Sequence, residues 1–238
     1  MTPNPYLPDE NFVEGVRDWA STVHLLAAQA LAEALEKEEC ERNRKALRLG
    51  IFSEYCLAAE QLLSLLYVVR QLEEIDGFCE ALVDVRVDAK EFTEIYRKVG
   101  CCVKCDELFA FLGIPFDRKR YEAEPKVFDG FLRQLKASLS NRWEDERKLK
   151  NTSATLYFNK IKHGLPVLPS PNKENCWWFW KESKDGGLEC TDLRISEEFA
   201  AGMVGGIEAI QHTITNLCQF VLDYGLIKSD DASEPVHD

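Results

Sequence analysis

Residues 51–75, reading IFSEYCLAAEQLLSLLYVVRQLEEI, decide the fold class. Phe52, Tyr55, Leu62, Leu63, Leu65, Leu66, Tyr67, Val68 and Val69 leave little polar circumference on the helix they would form. A helix that is apolar nearly all round is one enclosed by other helices, so this stretch predicts the central helix of a mainly α protein, ending before Gly77.

On its amino-terminal side, Asp9 is placed to cap a long helix in which Phe12, Val16, Trp19, Val23, Leu26 and Ala30 recur at alternating spacings of four and three, a packing seam. His24 sits beside that seam and reads as a structural histidine. The charged tract Lys37–Arg48 is expected to carry the same helix into solvent until Gly50 stops it. Downstream, residues 78–99 read as further helix, with Val83, Val85 and Val87 allowing a short extended piece instead. Cys102–Leu112 is helical, and Gly113, Pro115 and the basic run Arg118–Lys119–Arg120 form a connection. A helix from Pro125 presents Val127, Phe128, Phe131, Leu132, Leu135 and Leu139 on its apolar face, with Lys126, Arg133, Lys136 and Arg142 elsewhere. In the last helix, begun at Ser196, Phe199, Met203, Ile207, Ile210, Ile214, Leu217 and Val221 make a second seam, and Gly202, Gly205 and Gly206 would let another helix approach closely.

Prolines rule out a helix through LPVLPSPNKEN (165–175), which leads into Cys176–Trp–Trp–Phe–Trp180, a Lys-Asp-Gly-Gly turn and Leu188–Ile195. That is the pattern of a β-hairpin at about 176–195. Alternation sends Trp177 and Phe179 to one face and Trp178 and Trp180 to the other, where they are candidates for stacking a base or a partner surface.

Between the long helices lies Tyr157–Gly164, YFNKIKHG. If helical, Ala154, Tyr157, Phe158, Ile161 and Leu165 form an apolar stripe, and Asn159 and His163, four residues apart, fall opposite it. Gly164 and Pro166 then stop the helix, placing Lys160, Lys162 and His163 in a last turn whose partial negative charge favours cations. This octapeptide resembles the motif of the HEPN superfamily, helical proteins that include toxin ribonucleases, antiphage proteins and non-catalytic interaction modules. Asn159 and His163 match the motif's polar and histidine positions, and Phe158 stands where the family has an arginine. In active members the resemblance implies metal-independent RNA cleavage, in which His163 would act as acid and base, Asn159 would orient it or the phosphate, and Lys160 would supply positive charge. With the arginine replaced, the expectation is a non-catalytic module that binds a protein partner or RNA in a prokaryotic defence or stress context; the alternative is a toxin-like ribonuclease. Lys162, Trp178, Trp180, Arg142 and Arg147 are the candidate binding residues.

The 238 residues carry a net charge of −12, unevenly spread: residues 116–163 hold twelve Lys and Arg against seven Asp and Glu, while the remainder is strongly acidic. A local anionic-ligand surface on an otherwise acidic protein would have this distribution. No uninterrupted run approaches the roughly 18 to 20 apolar residues of a membrane span, and the first residues, MTPNPYLPDENF, lack a signal peptide's basic start and apolar run, so a cytoplasmic protein without a membrane partner is expected. Nine scattered cysteines fit reduced thiols. Cys101, Cys102 and Cys105 offer half of a zinc-ribbon spacing without a second half, so neither metal nor other cofactor is expected. The expected architecture is a bundle of about five to seven helices with one small inserted hairpin. It comprises a flexible stretch 1–8, a single domain over 9–227, a disordered tail 228–238, and homodimerisation through the amphipathic helices.

Overall fold

A computed structural model of the chain describes residues 9–72, 89–148, 168–170, 176–182, 185–186 and 188–224. In order they form α1 (Asp9–Trp19), α2 (Thr22–Lys37), α3 (Glu41–Gln71), α4 (Ala89–Cys101), α5 (Cys105–Leu112), α6 (Arg118–Ala123), α7 (Pro125–Lys148), β1 (Leu168–Pro169), β2 (Cys176–Glu182), β3 (Leu188–Arg194) and α8 (Glu197–Asp223). The fold is mainly α with a small antiparallel β element, as expected. The expected ends of the chain, Val83–Val87 and the octapeptide 157–164 lie outside the described residues.

The chain divides into two compact units, one built from residues 1–20, 61–136 and 211–238, the other from 21–60 and 137–210. Helices α3, α7 and α8 each give one part of their length to either unit.

The core of the first unit is aromatic. Phe109 of α5, Phe128 and Phe131 of α7 and Phe220 of α8 are buried, with ring centroids 5.0 to 5.6 Å apart in the pairs Phe109–Phe128, Phe109–Phe220, Phe128–Phe220 and Phe131–Phe220. Mostly edge-on and tilted rings at these separations are the arrangement that the ring quadrupole favours. The basic run 118–120 is a helix rather than a bare connection, because Asp117 caps it, accepting from the backbone N–H of Lys119 and Arg120 at 2.9 and 3.1 Å. Val127 was expected on the apolar face of α7 and is 53% exposed, since it sits in the first turn, one position before the buried Phe128.

The second unit holds the hairpin. Strands β2 and β3 pair antiparallel with Trp177 opposite Leu193 and Trp178 opposite Asp192, and the two-residue β1 adds a third strand, Leu168 opposite Trp178. The turn reaches a positive φ of 77° at Gly186, where a residue without Cβ carries no steric penalty. Trp177 is 1% exposed and Trp178 only half-buried, as strand alternation requires. In α8, Met203, Ile207 and Ile210 are buried, and the seam continues in the first unit through Ile214, Leu217 and Val221.

Helix α3 is buried as residues 51–75 predict: Ile51, Phe52, Leu62, Leu63, Leu66 and Val69 are each at most 2% exposed. Among the described residues it is also the one helix long and apolar enough to cross a membrane, and 56% of its most apolar window is buried inside the chain, a property shared by core helices of this length. Gly50 does not stop a helix but lies within α3, where Leu31 comes to 3.0 Å of the place a Cβ would occupy. The break comes earlier, at Glu38, which is extended at φ −86° and ψ 126°. A second break separates α1 from α2: Ser21 is left-handed, with φ 61°, so Phe12–Ala30 is not one continuous helix.

Candidate interaction surface

That break decides which face of α2 is turned inward. A seam continued through Ser21 would have buried Val23, Leu26 and Ala30. The buried residues of α2 are instead Ala28 and Leu35, in line with the half-buried His24 and Leu31 at the same four-and-three rhythm, while Thr22, Leu25, Ala27 and Ala32 beside them are half-buried. Three relations with α3 show what this face meets. His24 Nδ1 lies 2.7 Å from Glu54 Oε2, Leu31 packs on Gly50, and Arg44 Nη1 donates to the carbonyl of Leu35 at 2.9 Å. As the α2 number rises the α3 number falls, so the two helices run antiparallel.

The connection between them is built by side chains acting on backbone. The Glu38 carboxylate accepts from the backbone N–H of Cys40 at 2.8 Å and from Asn43 Nδ2 at 3.0 Å; these donors, Cys40 first, hold its pKa below the usual carboxylate value. Arg44 Nη1 also donates to the carbonyl of Glu38 at 2.7 Å, satisfying oxygens at the end of α2 where a cation is favourable.

Next to Arg44 lies the most buried charge among the unit's described residues. The Arg48 side chain is 2% exposed, donating from Nη2 to Glu41 at 2.8 Å and from Nη1 to Glu197 at 3.1 Å, while its buried Nε finds no partner among the described residues. Glu197, in the first turn of α8, receives Arg44 as well, and that hydrogen bond is the main reason its carboxyl titrates below its ordinary value. Two guanidiniums and two carboxylates make a neutral clamp that ties the start of α3 to the start of α8.

With the inner face so occupied, the outer face of α2 is open. Val23 is 70% and Leu26 61% exposed, and Ala30 and Ala34 are exposed further along the same side. On the sheet, Leu168, 54% exposed, lies beside the half-buried Trp178 in a row that ends at Asp192.

The residues singled out in the sequence are distributed differently. Asn159, Lys160, Lys162 and His163 lie outside the described residues. Arg142 and Arg147 belong to the last turns of α7, and Trp180 pairs with Cys190 in the hairpin. Of the three neighbouring cysteines, Cys101 is exposed, and Cys102 and Cys105 are buried. Cys102 Sγ donates to the carbonyl of Lys98 at 3.2 Å and Cys105 Sγ to that of Phe128 at 3.5 Å, and burial pushes the Cys105 thiol up to about 12. Held this way, the two thiols act as small buried donors, and the described residues contain no group of three or more His, Cys, Asp or Glu that could hold an ion. The spacing of Cys102 and Cys105 instead accommodates a helix start, where Glu107 accepts from the backbone N–H of Val103 at 2.6 Å.

The clamp was legible in principle, because Glu41, Arg44 and Arg48 recur at spacings of three and four and so share one face of a helix. The His24–Glu54 pair, thirty residues apart in sequence, left no local signal. No protein-family model, curated protein or solved structure matches the chain.

Proposed function

We propose that this chain is a HEPN-like, non-catalytic helical interaction module that binds a protein partner through the outer face of α2. The observation that carries the reading is the exposure of Val23 and Leu26, three residues apart on a helix whose opposite face meets α3. Burying two such side chains against a partner is worth about 1.5 to 3 kcal/mol each, and an i, i+3 pair of apolar anchors is how one helix recognises another. The half-buried Trp178 with Leu168 gives a second patch of the same character. The family half of the reading comes from Asn159 and His163, and the replacement of the motif arginine by Phe158 supports binding without catalysis. A cytoplasmic setting in prokaryotic defence or stress goes with that resemblance.

A metal-independent ribonuclease is the second reading, favoured by the basic stretch 116–163 that ends in the motif. One pair of measurements separates the two. Wild-type protein and Leu26→Glu are compared for partner capture, and wild type and His163→Ala for RNA cleavage in chelator. Capture lost in Leu26→Glu with no cleavage by either protein supports the module. Cleavage that yields cyclic-phosphate ends and is lost in His163→Ala replaces it with the ribonuclease, acting on RNA through His163, Asn159 and Lys160.

A further inference from the structure

Resting on that reading, we infer that the partner docks on α2 through an amphipathic helix with basic flanks, its apolar side chains seating on Val23 and Leu26 and its lysine or arginine side chains meeting Glu33 and Glu36. Several acidic side chains of the unit are spent internally. Glu54 faces His24, Glu38 holds Cys40 and Asn43, and Glu41 and Glu197 hold Arg44 and Arg48. Glu33 and Glu36 are exposed on the outer side of α2, and among the described residues neither has a hydrogen-bond or ion-pair partner. Lys37, four residues beyond Glu33, is exposed as well and does not pair with it.

The outer face of α2 is thus divided along its length. Val23 and Leu26 make an apolar end, and Glu33 and Glu36, with Glu39 exposed just past the helix, make a negative end that Lys37 offsets by a single charge. The last turn of the helix adds its own partial negative charge. A partner presenting lysine or arginine is attracted there, and the chain's net charge of −12 steers it inward from a distance, whereas an acidic partner meets repulsion. Backbone chemistry decides the partner's form. The N–H and C=O groups of α2 are bonded within the helix, so an extended peptide laid against it finds no backbone partners there, while a helix satisfies its own. Leu26 and Glu33 are seven residues apart, about 10 Å along the axis. A partner helix matches that span with apolar anchors one turn apart and a cation about two turns further on. One helix face of this length buries less than a standard interface, so the affinity is weak and falls with salt.

The test uses the full chain and two labelled helical peptides about five turns long, identical in their leucine anchors, one flanked by lysine and the other by glutamate. Fluorescence anisotropy is expected to show the lysine peptide bound at least about tenfold more tightly. Leu26→Glu is the discriminating variant, because it removes an anchor while adding a negative charge. Docking by the inferred mode weakens about tenfold in it, whereas attraction by charge alone tightens. Glu33→Lys with Glu36→Lys is expected to reverse the preference between the peptides. Glu94→Lys with Glu124→Lys, exposed positions of the first unit, makes the same change of charge and is expected to leave the preference in place. Circular dichroism checks that each variant is folded. Equal binding of the two peptides, both lost in Leu26→Glu, overturns the partner's charge and leaves the interaction module standing. Lysine-peptide binding that Leu26→Glu leaves unchanged or tightens, or that the Glu94 and Glu124 pair reverses as strongly, overturns the inference as non-specific attraction. A dimer in sedimentation velocity that Leu26→Glu abolishes seats a second copy on the face and overturns it likewise. Binding of neither peptide also overturns it, and the partner capture described above then decides the module on its own.

Discussion

His24 Nδ1 and Glu54 Oε2 stand 2.7 Å apart, and this relation between α2 and α3 goes with the outward turn of Val23 and Leu26. Successive helix residues are about 100° apart, so a helix that holds His24 against its neighbour cannot also hold Val23 and Leu26 there. Both side chains of the pair are 23% exposed, enough for solvent to weaken the interaction without dissolving it. His24→Ala and Glu54→Ala are each expected to lower stability by about 0.5 to 1.5 kcal/mol, with a coupling of similar size in the double-mutant cycle. Urea unfolding of the four proteins checks this, and additive losses would mean the pair does not hold α2 to α3.

Arg48 makes a different energetic argument. Its guanidinium is almost wholly withdrawn from water, yet Glu41 and Glu197 are 56% and 54% exposed, so deleting the arginine leaves two carboxylates that can rehydrate and a hole that cannot refill. Arg48→Ala should therefore cost about 2 to 4 kcal/mol, mostly as lost packing around α3. Arg48→Met keeps much of the volume and removes the cost of burying a charge and its unpartnered Nε, and is expected to lie within about 1 kcal/mol of wild type. Equal losses in the two variants, measured by denaturant midpoints, would show that the ion pairs rather than the packing carry the stability.

The same clamp gives the protein an acid-sensitive element. The hydrogen bond from Arg44, assisted by the charges of Arg44 and Arg48, holds the folded-state pKa of Glu197 below its ordinary 4.5 despite some desolvation. A carboxylate whose pKa is depressed by folding adds stability that is fully present above the unfolded value and is lost as pH falls through the folded one. Stability should thus decline below about pH 5, and Glu197→Gln should flatten that decline while leaving its form near neutrality unchanged. Thermal melts of both proteins across the acid range read the slope, and identical slopes would remove Glu197 from the account.

How much of this was visible in the sequence depends on the distance over which each feature is determined. The all-round apolar pattern of residues 51–75, the α8 seam and the hairpin with its alternating tryptophans were legible because periodicity and turn chemistry are local. The register of α2 was not, because it hangs on a left-handed residue at Ser21 that no glycine or proline marks, and a single break rephases every residue after it. The charged tract 37–48 misled for a related reason. Charge suggested solvent, but Arg44 and Arg48 are drawn inward by Glu197, some 150 residues away in sequence, and only tertiary structure supplies that partner.

Glycines 202 and 206, four residues apart on α8, provide the sharpest contrast between local propensity and packing. Both lie inside a helix, where glycine costs up to about 1 kcal/mol relative to alanine. At Gly202 a Cβ would meet nothing within 4 Å, so Gly202→Ala should raise stability by about 0.5 to 1 kcal/mol. At Gly206 the same atom would stand 2.8 Å from Tyr55 Cε2 and 3.3 Å from Cδ2, against a ring that is only 6% exposed and has little room to retreat. There the clash outweighs the propensity gain, and Gly206→Ala should lower stability by about 1 to 3 kcal/mol. Tyr55→Leu in the Gly206→Ala background removes the ring and should recover part of the loss. Unfolding midpoints that rise for both glycine variants would mean that α8 and α3 do not approach at Gly206 as closely as these distances require.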